Sequence, residues 1–363
     1  MADPTIQTFC CHHANGTDMA VTIMEEFNTD AYNSVCMFSA ALGILGAAYQ
    51  ILPREEYSNN HRWLSFSAIR GRKIIIWLAI ADLLAALGVF TRSAIWINYR
   101  NIMPAVDDNS SVLFCSISSA ITQYFYTAAW IWTLCYAVDM RFVLSHKSSK
   151  MKYYHVTAWV LPVFTTVIGL SLLYYPDANC HTASSLRTAV VRILPNYIVT
   201  YIPIATVMIA NPCLYHHSTK DLENIITSTS GQFTSREREI IDAIKIKFSV
   251  INIIFYICWL PNLINGVLLW TLWFNLPEAY IIILWYIMAL MNPLQAFFNC
   301  LVYRRWSSGS ERLILPWRQL ESASTNKTIS SVTESSRSTV REEIYPLLRS
   351  TPTNSINGYK SFS

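Results

Sequence analysis

Residues 74–98 read IIIWLAIADLLAALGVFTRSAIWIN, an apolar run interrupted by two ionisable side chains, Asp82 and Arg92. A helix of this length can cross the ~30 Å hydrocarbon core of a bilayer, which takes roughly 20 residues. Six further apolar runs lie at 32–52, 112–144, 154–175, 194–216, 246–273 and 279–303. Seven spans in series predict an all-α integral membrane protein whose seven-transmembrane helix bundle occupies residues 32–303.

The composition of the 363-residue chain agrees with a membrane protein. Hydrophobic residues make up 53% and charged residues only 14%, whereas soluble domains have about 25% charged residues. No nucleophile–base pair, metal-ligand spacing or phosphate-binding loop is visible. We therefore expect no enzyme, no cofactor, no metal site and no nucleic-acid partner.

The distribution of Lys and Arg predicts the orientation of the bundle. Eighteen of them lie in 53–73, 141–152, 217–247 and 304–318. Four lie on the opposite side: three in its connections, and Arg92 near the outer end of the second span. Because Lys and Arg accumulate on the cytoplasmic side, the N-terminal segment 1–31 is predicted to be extracellular or luminal. The glycosylation sequons at Asn15 and Asn109 fall on that same side.

Two segments are predicted after the last span. Residues 304–320 mix basic and apolar side chains, including Trp306 and Trp317, and are expected to form a short amphipathic helix at the membrane interface. Residues 321–363 are expected to be a disordered cytosolic tail. Its Ser/Thr-rich part either is simply solvated or is a target of regulated phosphorylation.

A short sorting signal is visible near the end of the tail. Glu343, Leu347 and Leu348 fit the acidic dileucine pattern that clathrin adaptors recognise, and Tyr345 to Leu348 fits a tyrosine-based signal. Leucines in a disordered segment have no core to fill, which favours recognition by a partner. The pattern predicts endolysosomal sorting, and the alternative is a chance match of a short motif.

Two cysteines are placed for a disulfide bond. Cys115 opens the third span on the outer side, and Cys180 lies in the loop between the fourth and fifth spans. Both face an oxidising compartment, so a bridge that ties this loop to the bundle is expected. Cys10 and Cys11 either bridge elsewhere or pair between molecules.

Polar residues inside the spans are candidates for a conformational switch. Asp82 is costly at membrane depth. We expect Asn292 as its partner, with a bound cation or water cluster as a further candidate, either to couple helix movements or as a structural hydrogen-bonding centre. Pro261 and Pro293 should interrupt the sixth and seventh helices, and Trp259 stands beside the first break. Asp139 and Arg141 near the cytosolic rim are also candidates. They either hold the bundle in its resting state or form an ordinary interfacial charge pair.

The outer half of the bundle is rich in aromatic and amide side chains. Such a surface suits a small amphipathic ligand, although interfacial aromatic girdles explain some of the same residues. Arg92 either meets an anionic group or extends to the membrane surface. The candidate ligand-binding residues are Trp96, Gln123, Tyr126, Trp130, Asn196, Tyr197, Tyr201, Asn265 and Trp285, with Trp270 in the same region.

The order of several motifs resembles the ocular albinism type 1 receptor family of the G protein-coupled receptor superfamily. The motifs are Thr8–Cys11, Cys135–Asp139, Ala158-Trp159, Leu173–Pro176, Pro195–Tyr197, Tyr201–Pro203, Ala210–Pro212, Ala243–Lys247, Cys258–Leu260 and Asn292–Gln295. The resemblance covers most of the chain up to about residue 320. The sequence departs from the rhodopsin-like pattern, because Asp139-Met-Arg141 replaces Asp-Arg-Tyr.

The resemblance implies a receptor that binds an aromatic catechol amino acid such as L-DOPA and signals through heterotrimeric G proteins. It further implies residence in melanosomes, late endosomes or lysosomes of pigment cells, with the plasma membrane as a further location. Arrestin and clathrin adaptors are expected as additional partners, beside the membrane lipid.

Two other functions are compatible with seven spans. An organellar transporter or channel would use Asp82 on its ion path, although no pair of interrupted spans stands at corresponding positions of two similar halves. A retinal-binding photoreceptor is excluded because 279–303 contains no lysine for a Schiff base.

Overall fold

The residues that the structure describes form a bundle of seven long helices with one short strand pair. The structure, a computed structural model, describes residues 27–52, 54–56, 62–99, 109–144, 151–174, 186–230, 235–272, 278–305 and 311–313. The elements are α1 (Thr29–Ile51), β1 (Arg54–Glu56), α2 (Arg62–Asn98), α3 (Asn109–Leu144), α4 (Met151–Tyr174), α5 (Leu186–Ser230), α6 (Ser235–Leu272), α7 (Glu278–Arg305) and β2 (Glu311–Leu313). Each predicted span falls on one of these helices, which confirms the helical membrane bundle.

Six of the seven helices are long and apolar enough to cross a membrane. The spans lie at Thr29–Ile51, Gly71–Asn98, Met151–Tyr174, Ile193–Asn224, Ile244–Leu268 and Ala279–Tyr303. The remaining helix, α3, is 36 residues long but carries many polar side chains. These side chains are buried: Ser119, Thr122, Gln123, Thr127, Thr133 and Asp139. In this bundle α3 therefore directs its polar residues inward, away from lipid.

The outer surface of the bundle is apolar, as a lipid environment requires. On α4 the exposed side chains include Val156, Val160, Phe164 and Val167, whereas Ala158, Thr166 and Gly169 are buried. Neighbouring helices pack in the order α1–α2–α3–α4–α5–α6–α7, and α7 packs back on α1. In addition, α3 contacts α5, and α2 contacts α7. This arrangement places α2, α3, α6 and α7 around a shared interior.

Small residues allow α1 and α7 to approach closely. A Cβ atom built on Gly46 would lie 2.6 Å from the Cα atom of Phe297, and one on Gly43 would collide with the carbonyl oxygen of Pro293. The Ser39 hydroxyl donates a hydrogen bond to the Ala289 carbonyl across the same contact, at 2.8 Å. Helices in lipid associate through such close packing, because the lipid supplies no hydrophobic driving force.

Helices α5 and α6 extend well beyond the predicted spans. The connection 217–247 was predicted from its charge as an interhelical segment, yet α5 runs to Ser230 and α6 begins at Ser235. Lys245 of α6 and Glu223 of α5 form an ion pair with an N–O distance of 2.6 Å. Lys and Glu are good helix formers, so the helices continue after the apolar pattern has ended.

The segment after the last span differs from its prediction in the part that the structure describes. A helix was predicted over 304–320, but α7 ends at Arg305, and Glu311–Leu313 pairs antiparallel with Arg54–Glu56. Pairing with β1 satisfies backbone groups of β2 that a helix would have satisfied internally. The other residues between 306 and 320 lie outside the described residues, as does the tail.

The α1–α7 contact should be intolerant of added volume. We expect Gly46→Val to lower the thermal unfolding midpoint of the purified protein, because the new side chain meets the backbone of α7 and overpacking costs about 1–3 kcal/mol. Ala48→Val is the control, since Ala48 is exposed on the same helix. Equal midpoints for the two variants in a thermal scan would contradict this close contact.

Candidate functional site

Trp259 of α6 connects three helices at the centre of the bundle. Its indole N–H donates a hydrogen bond to the side-chain oxygen of Gln295 on α7. Its ring lies edge-on to Trp130 and Tyr126 of α3, with centroid distances of 4.7 and 5.0 Å. All three aromatic side chains are fully buried or nearly so. Because a packed interior leaves little free volume, a displacement of either α3 ring must be accompanied by a movement of Trp259.

Polar side chains continue outward from Trp259 along the α6–α7 contact. Trp285 of α7 donates its indole N–H to the side-chain oxygen of Asn265 on α6, at 3.1 Å. Between this pair and Trp259 stand Asn262 of α6 and Asn292 of α7, which are 0% and 1% exposed. Neither amide has a hydrogen-bond partner within the described parts of the chain. Buried amides of this kind usually bind water or a ligand.

One face of α3 carries further hydrogen-bonding atoms that have no partner among the described residues. We call Ser119, Gln123, Tyr126 and Trp130 the α3 polar stripe. Their spacing of three or four residues places them on one side of the helix. The Gln123 amide nitrogen donates to Thr200 of α5 at 3.1 Å, but its carbonyl oxygen has no partner among the described residues. The same holds for the Ser119 and Tyr126 hydroxyls and the Trp130 indole N–H.

The α3 polar stripe and the two α6–α7 amides form the candidate ligand site. The site combines aromatic walls with a few orienting polar atoms, which is the usual chemistry of small-molecule pockets. Tyr126 and Trp130 of the stripe contact Trp259, and Asn262 follows Trp259 by about one turn of α6. A molecule bound to these groups would therefore lie next to the side chain that links α3, α6 and α7. The donors and acceptors of these groups are chemically suited to a small polar aromatic molecule.

Residues just before α1 pack against α7 near Trp285. The Phe27 ring lies 5.4 Å from the Trp285 ring. The Tyr286 hydroxyl donates to the Asn28 carbonyl at 2.9 Å, and the Asn28 side chain caps α1 by accepting from the Ala31 N–H. These contacts fasten the chain that enters α1 to α7.

Three predicted ligand-binding residues of α5 contact neighbouring helices: Asn196, Tyr197 and Tyr201. Asn196 of α5 is buried against Gly169 of α4, so it contributes to the α4–α5 contact. Tyr197 and Tyr201 have ring centroids 5.5 Å apart, and the Tyr201 ring covers Gly266 of α6. The side chain of Trp270 lies outside the described residues.

Asp82 has a different partner from the one predicted. Its carboxylate accepts a hydrogen bond from the side-chain amide of Asn299, at 3.0 Å, whereas Asn292 was expected. Asn299 is two helical turns further along α7. The register between α2 and α7 puts Ala86 near Gly43 and Pro293, so Asp82, one turn closer to the cytosol, cannot reach the level of Asn292.

Arg92 is buried rather than extended to the membrane surface. Its side chain is 8% exposed, and its guanidinium carbon lies 6.0 Å from the centroid of the Trp96 ring. It also donates weakly to the sulfur of Cys115, at 3.8 Å. Cys115 itself is disulfide-bonded; its predicted partner Cys180 lies outside the described residues.

The two charged residues near the cytosolic end of α3 occupy different environments. Asp139 is 1% exposed and accepts a hydrogen bond from the Tyr154 hydroxyl of α4 at 3.4 Å. Arg141 is half-buried. Residues two apart point to different sides of a helix, so Asp139 joins α3 to α4 instead of facing Arg141.

Sequence reasoning did not single out Ser119 or an aromatic cluster between α2, α3 and α4. In that cluster the His155 ring lies edge-on to Trp77 and Trp132, at 4.8 and 5.0 Å. Ser119 could have been found from its spacing of four residues to Gln123, which places both side chains on one face of α3. The other predicted residues outside the description are Asn15, Glu343, Tyr345, Leu347 and Leu348, and the side chain of Asn109.

The Asp82–Asn299 hydrogen bond should be measurable by a double-mutant cycle. We expect Asp82→Ala and Asn299→Ala to be coupled by about 1–3 kcal/mol, since removing either partner leaves the other buried and unpaired. The matched cycle with Asn292→Ala should show no coupling. Thermal unfolding of the four purified proteins of each cycle measures both values. Coupling to Asn292 but not to Asn299 would contradict the observed register.

Comparison with known proteins identifies the family. Residues 1–357 match the profile of the family described as Ocular albinism type 1 protein. The chain is 28% identical over 337 residues to G-protein coupled receptor 143 of Homo sapiens, which covers 88% of this chain and 81% of that protein. It is 23% identical over 280 residues to Cyclic AMP receptor-like protein A of Dictyostelium discoideum, covering 76% of this chain and 64% of that protein. Both names are those of receptors rather than enzymes. The resemblance noted in the sequence is thereby confirmed, and the chain belongs to the ocular albinism type 1 protein family.

Proposed function

We propose that this protein is a G protein-coupled receptor that binds a small ligand in the candidate ligand site and signals to a heterotrimeric G protein. The observation that carries the proposal is the position of Trp259, which contacts α3 and α7 directly beneath buried polar atoms that the described protein leaves unpaired. The receptor names of both relatives support the same function.

Signal transfer would begin with hydrogen bonds from the ligand to the α3 polar stripe and to Asn262 or Asn292. The occupant would change the packing of Tyr126 and Trp130 against Trp259. Pro261 lies within α6 two residues further on, and a proline weakens a helix because it removes a backbone hydrogen bond. A displaced Trp259 could therefore alter the bend of α6 and move its cytosolic end, where Lys245 pairs with Glu223 of α5.

L-DOPA or a related aromatic amino acid is the ligand we propose. Its catechol ring would suit the aromatic walls formed by Tyr126, Trp130 and Trp259. Its hydroxyl and amino groups could satisfy the amides of Asn262 and Asn292. The resemblance to the family supports this choice.

The membrane we propose is that of a melanosome, late endosome or lysosome, with passage through the plasma membrane. The signal at Glu343 to Leu348 would bind clathrin adaptors, and phosphorylation of the Ser/Thr-rich tail would recruit arrestin. The Cys115–Cys180 bridge and glycans at Asn15 and Asn109 would face the lumen, in agreement with the charge distribution of the connections.

An organellar transporter or channel is the alternative. Its candidate ion-path residue, Asp82, is bonded to Asn299 and 3% exposed. Substrate flux through reconstituted vesicles that Asp82→Asn abolishes, together with no G protein activation, would favour this alternative over a receptor.

The Trp259–Gln295 hydrogen bond provides the functional test. Trp259→Phe keeps an aromatic ring but removes the N–H donor, so α6 loses its bond to α7. We expect basal activation of G protein to rise about fivefold or more, a typical size for coupling between sites. Gln295→Leu should give a similar increase, and the double variant should add little to either single change. Nucleotide exchange on purified G protein, in membranes with equal receptor content, measures the effect.

Leu260→Ala is the control for this experiment, since Leu260 adjoins Trp259 but is 44% exposed on the lipid side. Unchanged basal exchange in both Trp259→Phe and Gln295→Leu would remove Trp259 from the signalling path. A wild-type receptor that activates no G protein, either alone or with any candidate ligand, would overturn the proposed function itself.

A further inference from the structure

Arg92 and Trp96 form a pair of hydrogen-bond donors in the outer part of α2. An arginine guanidinium has five N–H groups and no acceptor, and an indole has one N–H and no acceptor. The Trp96 indole N–H is buried and lacks a partner among the residues that the structure describes. Arg92 lies beside that ring, and its one hydrogen bond to a described residue is the long contact with the Cys115 sulfur.

The charge of Arg92 is not neutralised within the described part of the chain. No carboxylate there forms an ion pair with its guanidinium. The buried acid of the same helix, Asp82, is ten residues away, which is about 15 Å along the helix axis. The polar side chains within electrostatic range are Tyr32, Cys36 and Tyr174, and phenols and thiols are ordinarily uncharged at neutral pH.

A buried cation without a counter-charge is costly, and within a membrane protein it usually marks a functional site. Arg92 cannot lower this cost by extending to water, since it is 92% buried. Besides Arg92 and Trp96, the Ser119 hydroxyl is a buried donor. It belongs to the α3 polar stripe and lies one helical turn inward from Cys115. The chemical complement of these donors is a group with several acceptor oxygens and a negative charge.

We propose that Arg92 and Trp96 anchor an anionic group of the ligand, a carboxylate or a phosphate, at the outer end of the candidate ligand site. This inference rests on the proposed function, because it assigns one end of the same ligand. Arg92 would form a charge-assisted, two-pronged hydrogen bond with the anionic group. The α3 polar stripe would bind the remainder of the molecule. Arg92 and Trp96 would thereby set the direction in which the ligand lies.

The binding test uses three probes. Two of them differ only in the charge at one position, and the third carries a different anionic group. L-DOPA carries a carboxylate, its methyl ester does not, and cyclic AMP supplies a phosphodiester instead. Affinity for each is measured on the full-length receptor in nanodiscs at one ionic strength. We expect the wild type to prefer at least one anionic probe, and Arg92→Gln to weaken that probe about 30-fold or more. Binding of L-DOPA or of cyclic AMP identifies a carboxylate or a phosphate as the group recognised.

Two comparison variants separate charge from structure. Arg92→Lys keeps the charge but loses the planar fork, so it should restore only part of the affinity. Arg72→Gln removes an arginine from the cytosolic end of α2 and should leave probe binding at the wild-type level. An unchanged preference for the anionic probe in Arg92→Gln would overturn the proposal.

A measurement without any ligand gives an independent result. Removing an uncompensated buried charge should raise the thermal unfolding midpoint, so Arg92→Gln should unfold at a higher temperature than the wild type in the absence of probes. If Arg92 instead serves only to hold Cys115 and Trp96 in place, the midpoint should fall. A lower midpoint in Arg92→Gln would overturn the proposal if no probe binds. It would also overturn it if the wild type binds the methyl ester as tightly as L-DOPA.

Signalling data distinguish this inference from the proposed function. In one outcome the wild type activates G protein, and Arg92→Gln leaves the preference for L-DOPA over its ester intact. The receptor function then stands, and the proposed role of Arg92 is wrong. A wild type that binds an anionic probe through Arg92 but never activates G protein retains the anchor and loses the receptor function.

Discussion

The hydrogen bond between Trp259 and Gln295 lies at the point where α3, α6 and α7 pack against one another. Trp259 contacts α3 through Trp130 and Tyr126 and reaches α7 through its indole N–H. The Trp259 indole N–H is buried, and leaving a buried donor unpaired is costly, so the Gln295 side chain has to meet it. That requirement fixes the rotation of α6 relative to α3 and α7, and it places the proline of α6 next to the side chain that any occupant of the site would move.

The same requirement makes the unpaired polar atoms informative. A bundle that satisfies Asp82 through Asn299 and Trp285 through Asn265 also buries Asn262, Asn292 and the α3 polar stripe without partners among the described residues. Such atoms are tolerated when water or a ligand completes them. In the arrangement proposed above, the donors of Arg92 and Trp96 bind one end of the ligand, and Trp259 lies at the other end. The candidate site thus has a polarity that matches a ligand with an anionic end and an aromatic end.

The sequence predicted the helices well, because an apolar run of 20 or more residues has few alternatives to a membrane span. It could not predict how far α5 and α6 continue, since charged residues such as Lys245 and Glu223 are compatible with both a helix and a loop. It also could not choose between Asn292 and Asn299 as the partner of Asp82. That choice depends on the axial position of α7 relative to α1 and α2. The close contacts of Gly43 and Gly46 with α7 determine this position in the folded bundle.

The central claim is that the candidate ligand site acts through Trp259. The most direct measurement is the NMR signal of the Trp259 indole N–H in the receptor labelled with ¹⁵N-tryptophan, with Trp259→Phe used for assignment. Addition of a ligand that activates the G protein should shift this signal, while the signal of Trp159, which lies on α4 in the separate aromatic cluster, should stay in place. Activation of the G protein without any change at the Trp259 indole would contradict the account.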